Sequence, residues 1–358
     1  MTNVRNPQAQ GVTSLGSSCA GSCRTQGQYS LGLRIVGALL IAVVTLQGTV
    51  QSAEFRPTAQ DKFVPAGTKF EILWDQGEFT EGPAAAPDGA ILFSDIGNRI
   101  MRFDPKSNKT TVYREPSGKA NGLIFDRQGQ LIACEGANGG TRRLTLTTTA
   151  GEVQTLADRY DGHRFNSPND VTVDKAGRIY FSDPRYLGNE PVELDFAGVF
   201  VVEPGKPVRL ATRDVSMPNG LAASPDGKTL YVADNSPKSD GNHHLLAFKI
   251  GADGKLSDKR VLFDFGPNFR GIDGMTVDAQ GNIFATAGRN ERSGVYVFGP
   301  AGEPLALIPT PGSPTNCEFG RGEDAHWLYV TSALTHEAPN QPPGHYGLLR
   351  IRLANSAP

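Results

Sequence analysis

Arg164-Phe165-Asn166-Ser167-Pro168-Asn169-Asp170-Val171 is the stretch from which the fold can be read. Asn169 is followed eight residues later by Gly177, and then by the strand-like run Arg178-Ile179-Tyr180-Phe181-Ser182-Asp183. The phrase is a polar residue, a short strand, a turn glycine and a second strand. It recurs along the chain at the same eight-residue step. Glu81 leads to Gly89 and Ile91-Leu92-Phe93-Ser94-Asp95, and Asn121 leads to Gly129 and Leu131-Ile132-Ala133-Cys134. Asn219 leads to Gly227 and Leu230-Tyr231-Val232-Ala233-Asp234, and Asp273 to Gly281 and Ile283-Phe284-Ala285-Thr286. Asn316 leads to a turn at Glu323-Asp324, without the glycine, and to Trp327-Leu328-Tyr329-Val330. Successive turns lie roughly 40 to 54 residues apart, the spacing of propeller blades.

Six such units predict an all-β chain forming a single six-bladed β-propeller. Pro87-Asp88-Gly89, Arg127-Gln128-Gly129 and Pro225-Asp226-Gly227 supply the positive-φ position that hairpin turns need. Hydrophobic content of 38% with 42 Gly and 25 Pro in 358 residues fits a turn-rich β protein rather than a helical one. A formal net charge of -2 shows no basic excess that would point to nucleic acid. The innermost strand of each blade lines the central channel. One polar residue per blade at a fixed position therefore predicts a ring of Glu81, Asn121, Asn169, Asn219, Asp273 and Asn316. The ring offers side-chain oxygens, two of its members being carboxylates, and no Cys or His. Hard oxygen donors with about two negative charges suit Ca²⁺, whereas Zn²⁺ calls for His or Cys.

The rest of the chain divides around this core. Residues 1–52 carry Arg5, Arg24 and Arg34 and no acid, and Ile35 to Leu46 is an apolar run too short for a comfortable membrane span. With small residues at Val50-Gln51-Ser52-Ala53, the segment is expected to be a signal peptide with a long n-region, cleaved after Ser52 or Ala53. The alternatives are a start codon placed too early or an uncleaved anchor. Cleavage moves the formal charge from -2 to -5 and predicts a periplasmic or secreted protein with no membrane association. It also removes Cys19 and Cys23, leaving Cys134 and Cys317, which read as small buried hydrophobes rather than a disulfide. Residues 53–67 form an extended lead-in, and 68–358 the propeller. Thr68 to Trp74 alternates at period two and is expected to pair with Gly347 to Leu353, closing the ring. The insert from Pro184 to Phe196 in the third unit is placed to roof one mouth of the channel.

Glu81-Gly82-Pro83, Asn121-Gly122-Leu123, Asn166-Ser167-Pro168-Asn169-Asp170, Pro218-Asn219-Gly220-Leu221 and Asp273-Gly274-Met275 together resemble the gluconolactonase/regucalcin family, also called senescence marker protein and luciferin-regenerating enzyme-like. The resemblance runs from about Phe70 to the C-terminus. It implies a six-bladed propeller with a divalent metal at one end of the channel, usually Ca²⁺, with Mg²⁺, Mn²⁺ or Zn²⁺ as alternatives. It implies metal ligands at Glu81, Asn169, Asn219 and Asp273, and a substrate-binding role for Asn121. The implied activity is lactone ring-opening, with organophosphate or ester hydrolysis as the alternative. Some members place a substrate-contacting Arg two residues before the Asn169 position; this chain has Ser167 there.

Chemistry assigns further roles. A carboxylate beside the metal can take the proton from attacking water, and Asp273 is the candidate catalytic base, with Glu81 a pure ligand. Asp170 is read either as substrate-binding, beside Asn121, or as a hydrogen-bond partner of the Asn169 loop. The six His do not pair at metal spacing, and a His in the loop from His336 to His345 is expected to be solvated. There is no Gly-x-Ser-x-Gly nucleophile elbow. Asp95, Asp183 and Asp234 end equivalent strands and read as turn-bonding residues. The expected partner is a small-molecule lactone or ester, and the expected state a monomer. A non-enzymatic ligand-binding propeller with a structural metal is the reading of different class.

Overall fold

In the computed structural model, which describes residues 54–336 and 345–354, five of the predicted turn glycines take φ between +73° and +90°. At Gly89, φ is +90° and a Cβ would meet nothing within 4 Å, so backbone conformation alone selects glycine. The turn is completed by the Gly89 N–H, which donates to Ala86 O at 3.0 Å, and by Asp88 Oδ1, which accepts from Ala90 N at 3.1 Å. The sixth turn, which has Asp324 rather than glycine at the eight-residue step, is a 3₁₀ turn at Gly322–Asp324.

These hairpins nucleate six four-stranded antiparallel sheets. Their innermost strands are Thr80–Ala85, Ala120–Phe125, Val171–Val173, Pro218–Ala223, Met275–Val277 and Pro314–Phe319. These strands touch one another around the axis, as blades of a propeller do. The sixth sheet takes Glu71–Gly77 as its outer strand, with Glu71 opposite Arg350 and Ile72 opposite Leu349. The ends of the propeller are thus zipped in one blade, and Arg350 Nε reinforces the seam with a 2.8 Å bond to Glu71.

Apolar faces of neighbouring blades pack between the sheets. Phe165, Phe181 and Phe200 meet at centroid distances of 5.0–5.5 Å, and Phe55 wedges against Phe263, Tyr296 and Phe298. Each fully buried ring contributes about 1.5–3 kcal/mol. The lead-in is not wholly extended. It makes one helical turn, Gln60–Phe63, because Gln60 uses both ends of its amide on Leu307 (Nε2 to O and Oε1 from N, each 2.9 Å), docking the segment on the edge of the fifth blade. Cys134 and Cys317 are buried free thiols. The chain divides into Met1–Gly48 and Thr49–Pro358, and only the second unit contains described residues; the expected export segment lies outside them, as do residues 337–344.

Candidate active site

The inner strands are not straight where the ring residues sit. Register breaks fall between Glu81 and Ala84, Ala120 and Leu123, Pro218 and Leu221, and Pro314 and Asn316. A bulge re-aims the side chain it carries, and these bulges turn residues from the sheet toward the axis. Four ring residues are followed by glycine, which lets neighbouring backbones touch. Gly220 N donates to Asp273 O at 2.7 Å, and a Cβ on Gly220 would lie 2.5 Å from that oxygen.

Loop-bracing carboxylates set the approach to each strand. Asp95 accepts from Glu78 N and Phe79 N (3.0 and 3.2 Å), Asp183 from Asn166 N and Ser167 N (2.7 Å each), and Asp234 from Ser216 N and Met217 N (3.2 and 2.9 Å). Each clamps the residues just ahead of Glu81, Asn169 or Asn219. The turn-bonding reading of these aspartates is therefore structural in detail, and it positions the ring.

Glu81, Asn121, Asn169, Asn219 and Asp273 line one cavity of ≈ 530 Å³, together with Tyr186 and Leu187 from the roofing insert. That volume is in the range of small-molecule sites. Glu81 is buried, and its Oε2 accepts from Gly82 N at 3.0 Å. Burial, and then the charges of Asp273 and Asp170, hold its carboxyl well above the usual range. Burial also raises Asp273, opposed by the guanidinium of Arg270, which pairs with Asp273 Oδ2. Asp273 Oδ1 accepts from Asn219 Nδ2 at 2.7 Å. Burial pushes the Tyr186 hydroxyl far up, so it remains a neutral donor, bonded to Asn235 O at 2.8 Å.

Two residues are placed away from the ring cavity. Asn316 does not join the ring. Its side chain lies beneath Gly274, where a Cβ would come within 2.0 Å of Asn316 Cγ, and its Oδ1 accepts from Cys317 N at 2.8 Å. Asp170, expected beside Asn121 as a substrate-binding residue, instead lines a second cavity with Asn316. It occupies the sequence position that Gly82, Gly122, Gly220 and Gly274 hold in other blades, so its side chain fills space at the axis. There Oδ2 accepts from Leu221 N at 2.9 Å and Oδ1 from Asn316 Nδ2 at 3.4 Å, which is the hydrogen-bonding alternative. Ser167 is committed to structure: its Oγ accepts from Ala137 N at 2.9 Å.

Sequence reasoning missed Arg270, three residues ahead of Asp273 in a loop outside the repeated phrase. Tyr186 was visible only as part of the insert.

The fold is that of known proteins. The model of the SMP-30/gluconolactonase/LRE-like region matches residues 79–334. The chain belongs to this family. The family's members include a gluconolactonase of Zymomonas mobilis, 31% identical over 83% of this chain and 91% of that protein. Regucalcin of Xenopus laevis is 28% identical over 74% of this chain and 87% of its own length. Among solved structures of the family, a gluconolactonase of Xanthomonas campestris superposes with a TM-score of 0.69 at 29% identity, covering 83% of this chain and 94% of that one.

The donor set also suits the divalent metal that the sequence resemblance implies. The buried carboxyl of Glu81, the partly exposed one of Asp273 and the amides of Asn169 and Asn219 line one cavity and offer hard oxygens. Glu81 and Asp273, which disfavour one another's charge, would be relieved by a divalent cation. Among the described residues there is no cluster of three or more His, Cys, Asp and Glu, so amide oxygens must complete any such site.

Proposed function

We propose that this protein is a divalent-metal-dependent lactonase, using Ca²⁺ held by Glu81, Asn169, Asn219 and Asp273. The observation that carries the reading is the convergence of five polar residues, each on or just ahead of an inner strand and including the carboxylates of Glu81 and Asp273, on one small-molecule cavity. The names of the lactone-opening relatives support it.

A cation held there supplies charge to polarise the lactone carbonyl and to stabilise the oxyanion that develops as water adds. Asp273 accepts the proton of the attacking water. The same proton then passes to the ring oxygen as its bond to the acyl carbon breaks, giving the open hydroxy acid. Arg270 fixes the Asp273 carboxylate by gripping Oδ2 while itself anchored on Pro314 O at 2.7 Å. Its charge opposes the rise in basicity that burial produces at Asp273. Asn121 orients the substrate from the cavity wall. Tyr186 and Leu187 roof the cavity and limit water.

The test is a panel of lactones assayed by acid release with and without chelator. Chelator-sensitive turnover restored by Ca²⁺ is expected; turnover unaffected by chelation would remove the metal from the mechanism. The N-terminal segment supports a second proposal, export with cleavage near Ala53. Sequencing of the mature N-terminus should read from Ala53 or Glu54, and Met1 on soluble cytoplasmic protein would refute export.

A further inference from the structure

The site's cavity leaves large apolar side chains in water. Leu187 lines it and is 71% exposed, more than any other large apolar side chain among the described residues. Phe79 lines it at 37% exposed. Half-buried Ile96 and exposed Pro237 add to the same lining. The lining is not apolar throughout, since Lys238, Ser239 and Asn268 are exposed polar residues within it. Those three are at home in water. An apolar side chain scattered singly on a surface needs no explanation, but two that line one cavity with the ring residues are surface waiting to be covered.

Leu187 is held in place from both directions along the chain. Ahead of it, Arg185 Nε donates to Asn166 O at 2.9 Å and the Tyr186 hydroxyl to Asn235 O at 2.8 Å. After it, Glu190 Oε1 accepts from Gly139 N at 2.7 Å. The insert is thus tied to the second and fourth blades around one exposed leucine. Phe79 is held as well: its N–H donates to Asp95 Oδ1 at 3.2 Å, and its ring lies 4.5 Å from that of Tyr346. Both residues are next to the ring in the chain or by contact. Phe79 stands two residues ahead of Glu81. Leu187 follows Tyr186, whose hydroxyl accepts from Asn219 Nδ2 at 3.3 Å, and the same amide donates to Asp273 Oδ1 at 2.7 Å. A lactone with its acyl carbon at the ring residues therefore has these two side chains within the same cavity for the rest of its body.

We infer that Phe79 and Leu187 are specificity-determining residues, and that the preferred substrate is a lactone carrying an alkyl chain of several carbons on a ring carbon away from the acyl group. This inference rests on the lactonase reading and deepens it. Binding moves the chain from water onto Phe79 and Leu187 and covers apolar surface on both partners. A polyhydroxylated lactone of equal size would press hydroxyls against carbon and lose their hydrogen bonds to water. The cavity, at ≈ 530 Å³, is of a size for a ring with a short chain.

The experiment uses the full protein with Ca²⁺ and lactones of one ring size bearing a methyl, ethyl, propyl or pentyl group, with a hydroxymethyl lactone as the polar counterpart of the ethyl one. The expected result is a kcat/KM that rises by about two- to fourfold for each methylene added, the upper figure being that for a methylene fully buried. The gain should sit in KM rather than kcat, because the chain is covered equally in the ground and transition states. The ethyl lactone should exceed the hydroxymethyl one. Leu187→Asn and Phe79→Ser should each flatten the rise with chain length, and Leu187→Met, which keeps an apolar side chain, should preserve it. Leu187 is mostly exposed, so Leu187→Asn reports even if Phe79→Ser does not fold. A flat response to chain length, or a hydroxymethyl lactone turned over as well as the ethyl one, overturns the inference and leaves the lactonase reading standing. A rise that Leu187→Asn and Phe79→Ser both leave intact overturns the assignment to these two residues. Absence of turnover on every lactone sinks the lactonase reading and this inference with it.

Discussion

The two ends of the propeller channel hold the same kinds of residue and use them differently. At the far end, buried Asp170 and half-buried Glu318 are carboxyl groups whose bonds come from the chain. Leu221 N and Asn316 Nδ2 donate to Asp170, and Phe319 N at 2.7 Å and Thr276 Oγ1 at 3.1 Å to Glu318. At the near end, Glu81 accepts from its own neighbour Gly82 and faces the charges of Asp273 and Asp170. A buried carboxylate saturated by the chain is fabric. One bonded by its own neighbour and facing the like charges of two aspartates suits the cation proposed above.

The largest break in this comparison should come from Asp273→Asn. Asn keeps an oxygen for the metal but cannot accept the water's proton. Turnover at saturating Ca²⁺ should fall by roughly 10²–10⁴-fold, with calorimetric Ca²⁺ affinity only modestly weaker. Near-native turnover in the metal-loaded variant would move the base role to another group.

Glu81→Gln should act on the metal rather than on chemistry. Affinity should drop at least as far as loss of a supporting partner lowers it, about 10–100-fold, and turnover should recover at high Ca²⁺. The same carboxyl sets a pH dependence. Its proton is held well above the usual carboxylate range without metal, so ionisation must precede binding. Ca²⁺ affinity should therefore fall as pH drops through that raised pKa. Uptake should release protons, measured as a buffer-dependent calorimetric enthalpy, and Glu81→Gln should reduce that release. A buffer-independent enthalpy in the native protein would show Glu81 already ionised.

At the far end the effect should appear in stability. Asp170→Ala orphans Leu221 N and the Asn316 amide, at about 1–3 kcal/mol for each buried group left unpaired. Thermal unfolding should shift down while KM for the best lactone holds. A KM change without loss of stability would return Asp170 to the substrate.

These contrasts also mark how much of the molecule its sequence declares. The eight-residue step and the turn glycines made the six blades legible, because hairpin chemistry is local and repeated. The seam between Glu71–Gly77 and Tyr346–Arg352 was legible from alternation and from the need to cover two edges. Five of the six ring residues reach one cavity because they share one register position, on or just ahead of an inner strand. Asn316 and Asp170 depart for a reason that lies one residue further on. Where glycine follows the ring residue, neighbouring backbones close on it; Asp170 puts a carboxylate in that gap, and Asn316 is pinned under Gly274. Arg270 and Leu187 come from segments without a repeat, and nothing local ties such a residue to a site. The Gln60 turn depends on a partner 247 residues away in the chain.

The smallest effects test whether the glycines divide by role as the carboxylates do. Gly220→Ala places a Cβ at 2.5 Å from Asp273 O and 2.9 Å from Gly274 Cα, both backbone atoms that cannot swing aside. The inner strands must part, at a cost of about 1–3 kcal/mol for overpacking. Because Asp273 is the residue displaced, Ca²⁺ affinity should fall with stability. Gly89→Ala meets open space and suffers only the left-handed backbone, about 1 kcal/mol. It should lower the unfolding midpoint slightly and leave Ca²⁺ affinity alone. Parallel denaturation curves and calorimetry on the two variants decide it. If Gly89→Ala weakened metal binding as much as Gly220→Ala, the turn glycines would be coupled to the site and the division by role would fail.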